Sequence, residues 1–431
     1  MRWKVPLPEG RASGSGLRAA VAAGLLLVCV GGLGAEVRQE EYRARRQAAR
    51  KSLENAVLVL FGRTAAEMED HSVGPAQDPD FYYLTGWTEP GSILMLTAAR
   101  DVLFLPEHNP ALERYTGKRP AAGDDDARAV TGFEEVLPVS QFEAQFAKGL
   151  EGSSRQFTEI HERSFAKLQS LAPMREFTDA GQVVDGLRAK KSEAELALIG
   201  KATEVSVEAH RAAWRRMSAG LYEYQIAATM TFTMLDRGCE GNAYDPIVGA
   251  GPNGTVLHYS KNSRRMDAGE LVVMDVGAQC SQYATDITRT VPVSGKFTAR
   301  QRELYDIVLG AYKASLAAVA PGATMAQLTK ISREYFDSHG KDRNGGPLGK
   351  YLTHRISHGV GLEVHDYPTA SSTDPLEAGM VITIEPGLYI PEENIGIRIE
   401  DTVLVTKNGA KVLSAALPRE AGEIEKAMAA R

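Results

Sequence analysis

Leu271-Val272-Val273-Met274-Asp275-Val276-Gly277 is the stretch whose reading decides the fold. In a strand, alternation places Asp275 on the face that carries Leu271 and Val273, so a carboxylate emerges from an apolar face at the strand's end. An acid is costly there unless something positive meets it. Further on, in the run Tyr283 to Val291, Asp286 shares a face with Ala284, Thr288 and Thr290. A hairpin turning near Ala278 to Gln282 would set the two aspartates across from each other. Like charges that close repel unless a cation sits between them.

A second pair of segments repeats the pattern. Met380-Val381-Ile382-Thr383-Ile384 ends in Glu385-Pro386-Gly387, and Ile397-Arg398-Ile399-Glu400 returns with Glu400 on the same face as Arg398. Any one of these acids alone reads as a surface or ion-paired carboxylate. Four of them, all abutting apolar strands, read as one cluster. Between the two pairs lies His354-Arg355-Ile356-Ser357-His358-Gly359-Val360-Gly361-Leu362-Glu363-Val364-His365, which holds three of the chain's 9 histidines. The glycines flanking Val360 let backbone approach closely, and a neutral imidazole could complete a metal's shell.

Two divalent cations would balance four carboxylates charge for charge, which is the makeup of a dinuclear metal hydrolase site. A donor set of oxygens with one nitrogen favours Mn²⁺, with Co²⁺, Zn²⁺ or Fe²⁺ as alternatives, over a thiolate-bound zinc. Such a pair lowers the pKa of a bound water and polarises a carbonyl, so the expected chemistry is hydrolysis of an amide.

Working outward, Ser192-Glu193-Ala194-Glu195 is a capping box, and Leu196, Ile199, Thr203 and Val207 continue at helical spacing, so a long helix opens the second half. Further helices are expected over Ala299 to Ala320, stopped by Pro321-Gly322, and over Met325 to His339. The first half begins with a helix from Glu36 to Leu53 and a strand from Ala56 to Phe61. Further strands are expected at Phe81 to Leu84, Ser92 to Leu96 and Val102 to Leu105. No catalytic residue types gather there at a telling spacing. The charged stretch Asp185 to Lys191 marks the boundary, giving an α/β domain over 36–186 and a second domain over 187–431.

The first 35 residues stand apart. Arg2, Lys4, Arg11 and Arg18 precede an apolar run from Ala19 to Leu33, and Gly34-Ala35 follow, which reads as a secretory signal rather than a membrane span. Cleavage after Gly34 removes four bases and Glu9, moving the net charge from −6 to −9 and arguing against nucleic acid or anionic lipid as a partner. Cys239 and Cys280 then remain. They could pair in an oxidising compartment, but without a C-x-x-C partner or a framework of cysteines they read as free structural thiols. Gly249-Ala250-Gly251-Pro252-Asn253-Gly254 matches a dinucleotide fingerprint by letter only, because Pro252 and the residues after it do not open a helix whose N-terminus could hold a pyrophosphate.

With these segments in place, the chain resembles the aminopeptidase P and prolidase group of pita-bread metallopeptidases. The likeness rests on Leu257-His258-Tyr259, Asp275-Val276-Gly277, Thr285-Asp286-Ile287-Thr288-Arg289-Thr290, Ser357-His358-Gly359-Val360-Gly361-Leu362, Val364-His365-Asp366, Ile384-Glu385-Pro386-Gly387-Leu388-Tyr389 and Gly396-Ile397-Arg398-Ile399-Glu400-Asp401. The resemblance implies an α+β fold, with a C-terminal pita-bread domain of curved antiparallel sheet behind a smaller α/β domain. It further implies that Asp275 chelates one metal, His358 and Glu385 hold the other, and Asp286 and Glu400 bridge both. Glu385 would be general base, His258 and His365 would stabilise the scissile carbonyl, and His354 and Arg398 would shape a pocket for proline.

The implied activity is release of an N-terminal residue that precedes proline, with the Xaa-Pro dipeptidase as runner-up and a non-catalytic peptide-binding module as the contrasting class. Ordinary peptidases that use the scissile amide's N–H handle this bond poorly, because proline has none. The expected partners are peptides with proline second and further copies of the chain in a homo-oligomer. The expected location is outside the cytoplasm.

Overall fold

The structure, a computed structural model, describes residues 36–70 and 73–430, and the segment read as an export signal lies outside them. The described residues form one compact unit.

Six strands build the sheet of the first half: β1 (Ala56–Phe61), β2 (Ile93–Thr97), β3 (Asp101–Leu105), β4 (Glu135–Pro138), β5 (Arg155–Thr158) and β6 (Phe177–Asp179), in the order β4-β3-β2-β1-β5-β6. β2 runs antiparallel to β1 and β3, while β5 lies parallel to β1. The central strands are buried on both faces, as their unbroken apolar sequences require.

One expectation fails here. Phe81 to Leu84 is not a strand but part of a helix, Pro79–Thr85. Asp78 caps it by accepting from the Phe81 amide, Pro79 sits in its first turn, and Gly86 ends it in the left-handed conformation at φ 67°. Start and stop chemistry outweighs the β propensity of three aromatic residues in a segment this short.

In the second half the long helix Glu193–Arg216 starts at the capping box on Ser192 and Glu195, and the helices Ala299–Ala317 and Met325–His339 follow. The strands are β7 (Gly241–Asn242), β8 (Ile247–Ala250), β9 (Leu271–Asp275), β10 (Ala278–Cys280), β11 (Tyr283–Ala284), β12 (Thr288–Pro292), β13 (Val381–Ile384), β14 (Gly387–Ile390), β15 (Ile395–Arg398), β16 (Asp401–Thr406) and β17 (Gly409–Val412). Every pairing among them is antiparallel. The segment Gly251–Thr255 makes only a short 3₁₀ turn, so the glycine motif opens no α-helix.

The two expected hairpins exist, and each is broken where its acids stand. β9 pairs with β12, with Thr288 rather than Asp286 opposite Asp275, and β10 pairs separately with β11. Asp286 falls in the gap between β11 and β12. In the same way β13 pairs with β16 and β14 with β15, so Glu385 and Glu400 occupy facing gaps in both strands. A carboxylate next to such a gap escapes the strict alternation of a pleated ladder and can turn toward the acids of the other hairpin. Gly277 is required at one gap, because any Cβ there would collide with the Thr285 carbonyl.

The cysteines are a second correction: Cys239 and Cys280 form a disulfide, with Cα atoms 4.4 Å apart. Pairing of β7 with β10 places Gly241 opposite Gln279 and so brings the two thiols together, a proximity that linear spacing does not reveal.

The halves are joined by buried charge. Arg188 bonds to Asp80 at 2.7 Å in the first half, and to Glu363 at 2.8 Å and Asp366 at 2.9 Å in the second.

Candidate metal centre

Asp275, Asp286, His358, Glu385 and Glu400 converge on one cavity of about 530 Å³, which His258, His354, His365, Tyr389 and Arg398 also line. The structure thus brings together every residue that the sequence singled out. Asp286, His358 and Glu400 are buried and offer ligand atoms within 4.8 Å of one another. His358 Nε2 lies 3.3 Å from Glu385 Oε1 and 3.5 Å from Asp286 Oδ2. Its Nδ1 is 2.9 Å from the Gly359 carbonyl. A proton on Nδ1 donated to that carbonyl leaves the Nε2 lone pair facing the acids, the tautomer that a metal needs.

Arg398 and a tyrosine order the acids. Arg398 donates to Asp275 Oδ2 at 2.5 Å, to the Tyr389 hydroxyl at 2.8 Å and to Thr288 Oγ1 at 3.1 Å. Thr288 in turn donates to Glu400 Oε2 at 2.6 Å. The hydroxyl of Tyr244 stands between Asp275 Oδ1, at 2.6 Å, and Asp286 Oδ1, at 2.5 Å. His354 reaches the Tyr389 hydroxyl at 3.0 Å through Nε2 and Glu385 Oε2 at 3.6 Å through Nδ1. His365 packs edge-on against His358 with ring centres 4.3 Å apart, and the side chain of His258 is exposed at the cavity.

Burial would raise Asp275, but the Arg398 guanidinium and the Tyr244 hydroxyl outweigh it and hold that carboxyl below the usual range. At Asp286 and Glu400 the same two groups, Tyr244 and Arg398, are outweighed. Burial first and neighbouring carboxylates second push both well above the carboxylate range. Burial also lowers His354, so its imidazole is neutral.

One guanidinium faces four carboxylates, and Glu400 Oε1 is buried without a hydrogen-bond partner. An orphaned oxygen, an excess of negative charge and a free imidazole lone pair are what a pair of divalent cations would satisfy. The residues therefore fit the metals.

Two groups escaped sequence reasoning. Tyr244 belongs to no periodic run. Glu223 is completely buried, and its carboxylate accepts from the Ala250 amide at 2.8 Å, Asn253 Nδ2 at 3.0 Å, the Tyr259 hydroxyl at 2.9 Å and the Arg264 amide at 2.7 Å. It gathers both ends of the loop that carries His258. Its sequence position, at the start of the helix Glu223–Asp236, gives no sign of this.

Comparison with known proteins agrees with the geometry. Residues 197–407 match the model of metallopeptidase family M24, and residues 42–158 match the aminopeptidase P N-terminal domain. The Xaa-Pro aminopeptidase of Escherichia coli K12 is 32% identical over 92% of this chain and 99% of its own length. The Xaa-Pro dipeptidase of Pyrococcus horikoshii is 36% identical over 79% of this chain and 91% of its own. A putative aminopeptidase P structure from Bacillus anthracis superposes with a TM-score of 0.83 at 31% identity, covering 91% of this chain and 99% of that one. The chain belongs to metallopeptidase family M24, in its aminopeptidase P and prolidase group.

Proposed function

We propose that this protein is an Xaa-Pro aminopeptidase, releasing the N-terminal residue of peptides whose second residue is proline. The observation that carries this reading is the meeting of four carboxylates and His358 in one cavity with Arg398, His354 and Tyr389. Asp275 would hold one divalent ion, His358 and Glu385 the other, and Asp286 and Glu400 both. When bound, the ions would supply an acidified water and polarisation of the scissile carbonyl. Glu385 would accept the proton of that water, and His258 and His365 would donate to the carbonyl oxygen as negative charge develops on it. His354, Arg398 and Tyr389, already bonded to one another, would form a rigid wall for the proline ring.

The oxygen-rich donor set supports Mn²⁺ as the resident ion. The Cys239–Cys280 disulfide supports export to an oxidising compartment, and among the described residues no helix is long and apolar enough to cross a membrane. Exposed Tyr222, Tyr224, Phe232 and Leu235 along one helix support self-association into a homo-oligomer. The capping box at Ser192 supports a second domain that opens with the helix Glu193–Arg216, and the position 186/187 itself falls inside the preceding helix, Gly181–Ala189.

Similarity to an Xaa-Pro dipeptidase keeps a second reading in view. The deciding assay compares Mn²⁺-supplemented turnover of an Xaa-Pro-Xaa peptide and an Xaa-Pro dipeptide. Faster cleavage of the longer peptide supports the aminopeptidase, and faster cleavage of the dipeptide supports the prolidase. Metal-loaded protein that cleaves neither is a binding module. Glu385→Gln should fold normally and lose most activity; wild-type turnover by that variant would refute its role as base.

A further inference from the structure

The first half contains a cleft that the proposed hydrolysis does not use. Its sheet runs from β1 to β2, β3 and β4 on one side, and the chain then crosses to β5 and β6 on the other. The connection therefore reverses direction between the parallel neighbours β1 and β5. In open α/β sheets such a reversal, at the carboxyl ends of the strands, leaves a crevice in which ligands bind. A cleft of about 570 Å³ opens at this place, lined on one side by Phe61 and Arg63, which end and follow β1, and on the other by Glu159 and Arg163, which follow β5.

Four acids line the cleft, Glu67, Asp78, Glu159 and Glu162, and two of them, Asp78 and Glu159, stand together without an ion pair of their own. Asp78 is 6% exposed, and its Oδ1 accepts from the Phe81 amide at 2.7 Å. Its carboxyl group meets that of Glu159. Among the described residues no N–H donates to Asp78 Oδ2, and the charge of Arg63 acts on Asp78 without an ion pair between them. Burial first and neighbouring acids second raise both carboxyls above the usual carboxylate range. A carboxyl pair with one buried and one half-buried member is a seat for a positive group. Two carboxylates are too few for a protein-held divalent ion, and the grouping of three metal-binding side chains among the described residues is the one in the second half. An ammonium group, with three donors and a single charge, matches two acids better.

The rim carries both signs. Arg63, Arg163 and Lys167 line the same cleft, as do Glu67, Glu162 and apolar Ile93 and Val139. A lone anion would meet the acid pair, and a lone cation would meet the three bases.

We propose that this cleft is a second ligand site that binds a small zwitterion, a free α-amino acid with an apolar side chain, its ammonium group on Asp78 and Glu159 and its carboxylate on Arg63 and Arg163. The side chain would rest on Phe61, Ile93 and Val139. The site requires no metal and no hydrolysis, so its test is independent of the activity proposed above.

Amide hydrogen exchange of the full metal-loaded protein locates such binding even if the second half also binds an amino acid. L-Leucine should slow exchange saturably in residues 61–67 and 159–167. N-acetyl-L-leucine, without the ammonium, and L-leucinamide, without the carboxylate, should each bind there at least about tenfold more weakly, the factor expected for one lost charged hydrogen bond. Arg163→Ala changes an exposed side chain and should weaken L-leucine binding about tenfold while leaving peptide hydrolysis unchanged. Glu159→Gln should weaken L-leucine binding about tenfold or more. Absence of protection in these segments, equal protection by all three compounds, or unaltered protection in Arg163→Ala would overturn the proposal.

Discussion

Arg398 Nη2 lies 2.5 Å from Asp275 Oδ2, across 123 residues of sequence. Alternation along the strand placed Arg398 beside Glu400, yet its guanidinium reaches over the break in the hairpin to the other pair of acids. Both groups are buried. Removing one partner of a buried ion pair costs about 3–5 kcal/mol, because the other charge stays behind. Arg398→Met should therefore lower the urea midpoint strongly in chelated protein and less in metal-loaded protein, where cations still face Asp275. Equal losses in the two states would contradict this arrangement.

Metal removal alone should also destabilise the second half. Asp286 is pushed up by burial and then by Asp275, and Glu400 by burial and then by Asp286, so without cations these acids must repel or protonate. A chelator should lower the melting temperature, and added Mn²⁺ should restore it. An unchanged melting curve together with unchanged activity would rule out a metal centre here.

Glu223 acts on His258 at a distance. Glu223→Ala would strand donors at both ends of the 250–264 loop, at a cost of about 3 kcal/mol or more. Because misplacement of a carbonyl-binding group by about 1 Å can cost on the order of 100-fold, kcat should fall further than KM changes. Glu223→Gln, which keeps the shape and one acceptor, should lie between. Full kcat in the stably folded alanine variant would remove Glu223 from any positioning role.

His210 predicts an acid limb of stability. It is fully buried with Nε2 3.2 Å from the Ile287 carbonyl, and burial, followed by the charge of Arg289, pushes its pKa down to about 4. The unfolded chain takes up this proton near pH 6.5 and the folded one only near 4, so the contribution is complete above about pH 6.5 and declines as pH falls between the two. The total is about 3 kcal/mol. Denaturant midpoints of wild type and His210→Gln, compared between pH 7 and 4, should converge as the pH falls. A constant gap would show that His210 does not titrate differently on folding.

Reduction of Cys239–Cys280 opens a loop spanning 41 residues, worth about 4 kcal/mol in chain entropy. Dithiothreitol and the double variant Cys239→Ala/Cys280→Ala should lower the denaturant midpoint to a similar extent. No shift under either condition would mean that the disulfide contributes no net stability.

Sequence alone determined the features governed by local rules. The helix Met325–His339 and the strands Ala56–Phe61 and Val381–Ile384 occur where apolar period and turn residues put them, and four of the five proposed metal-binding residues were legible because acids at the ends of apolar runs are conspicuous, the fifth being His358 in its glycine-flanked run. Tertiary structure alone decided what depends on distant partners: Arg398 on Asp275, Tyr244 between two aspartates, Glu223 beneath the His258 loop, and the pairing of Cys239 with Cys280. Periodicity fixes which face of an element a side chain shares. It does not say where a ladder breaks, and at Asp286, Glu385 and Glu400 the breaks turn two separate hairpins toward one cavity.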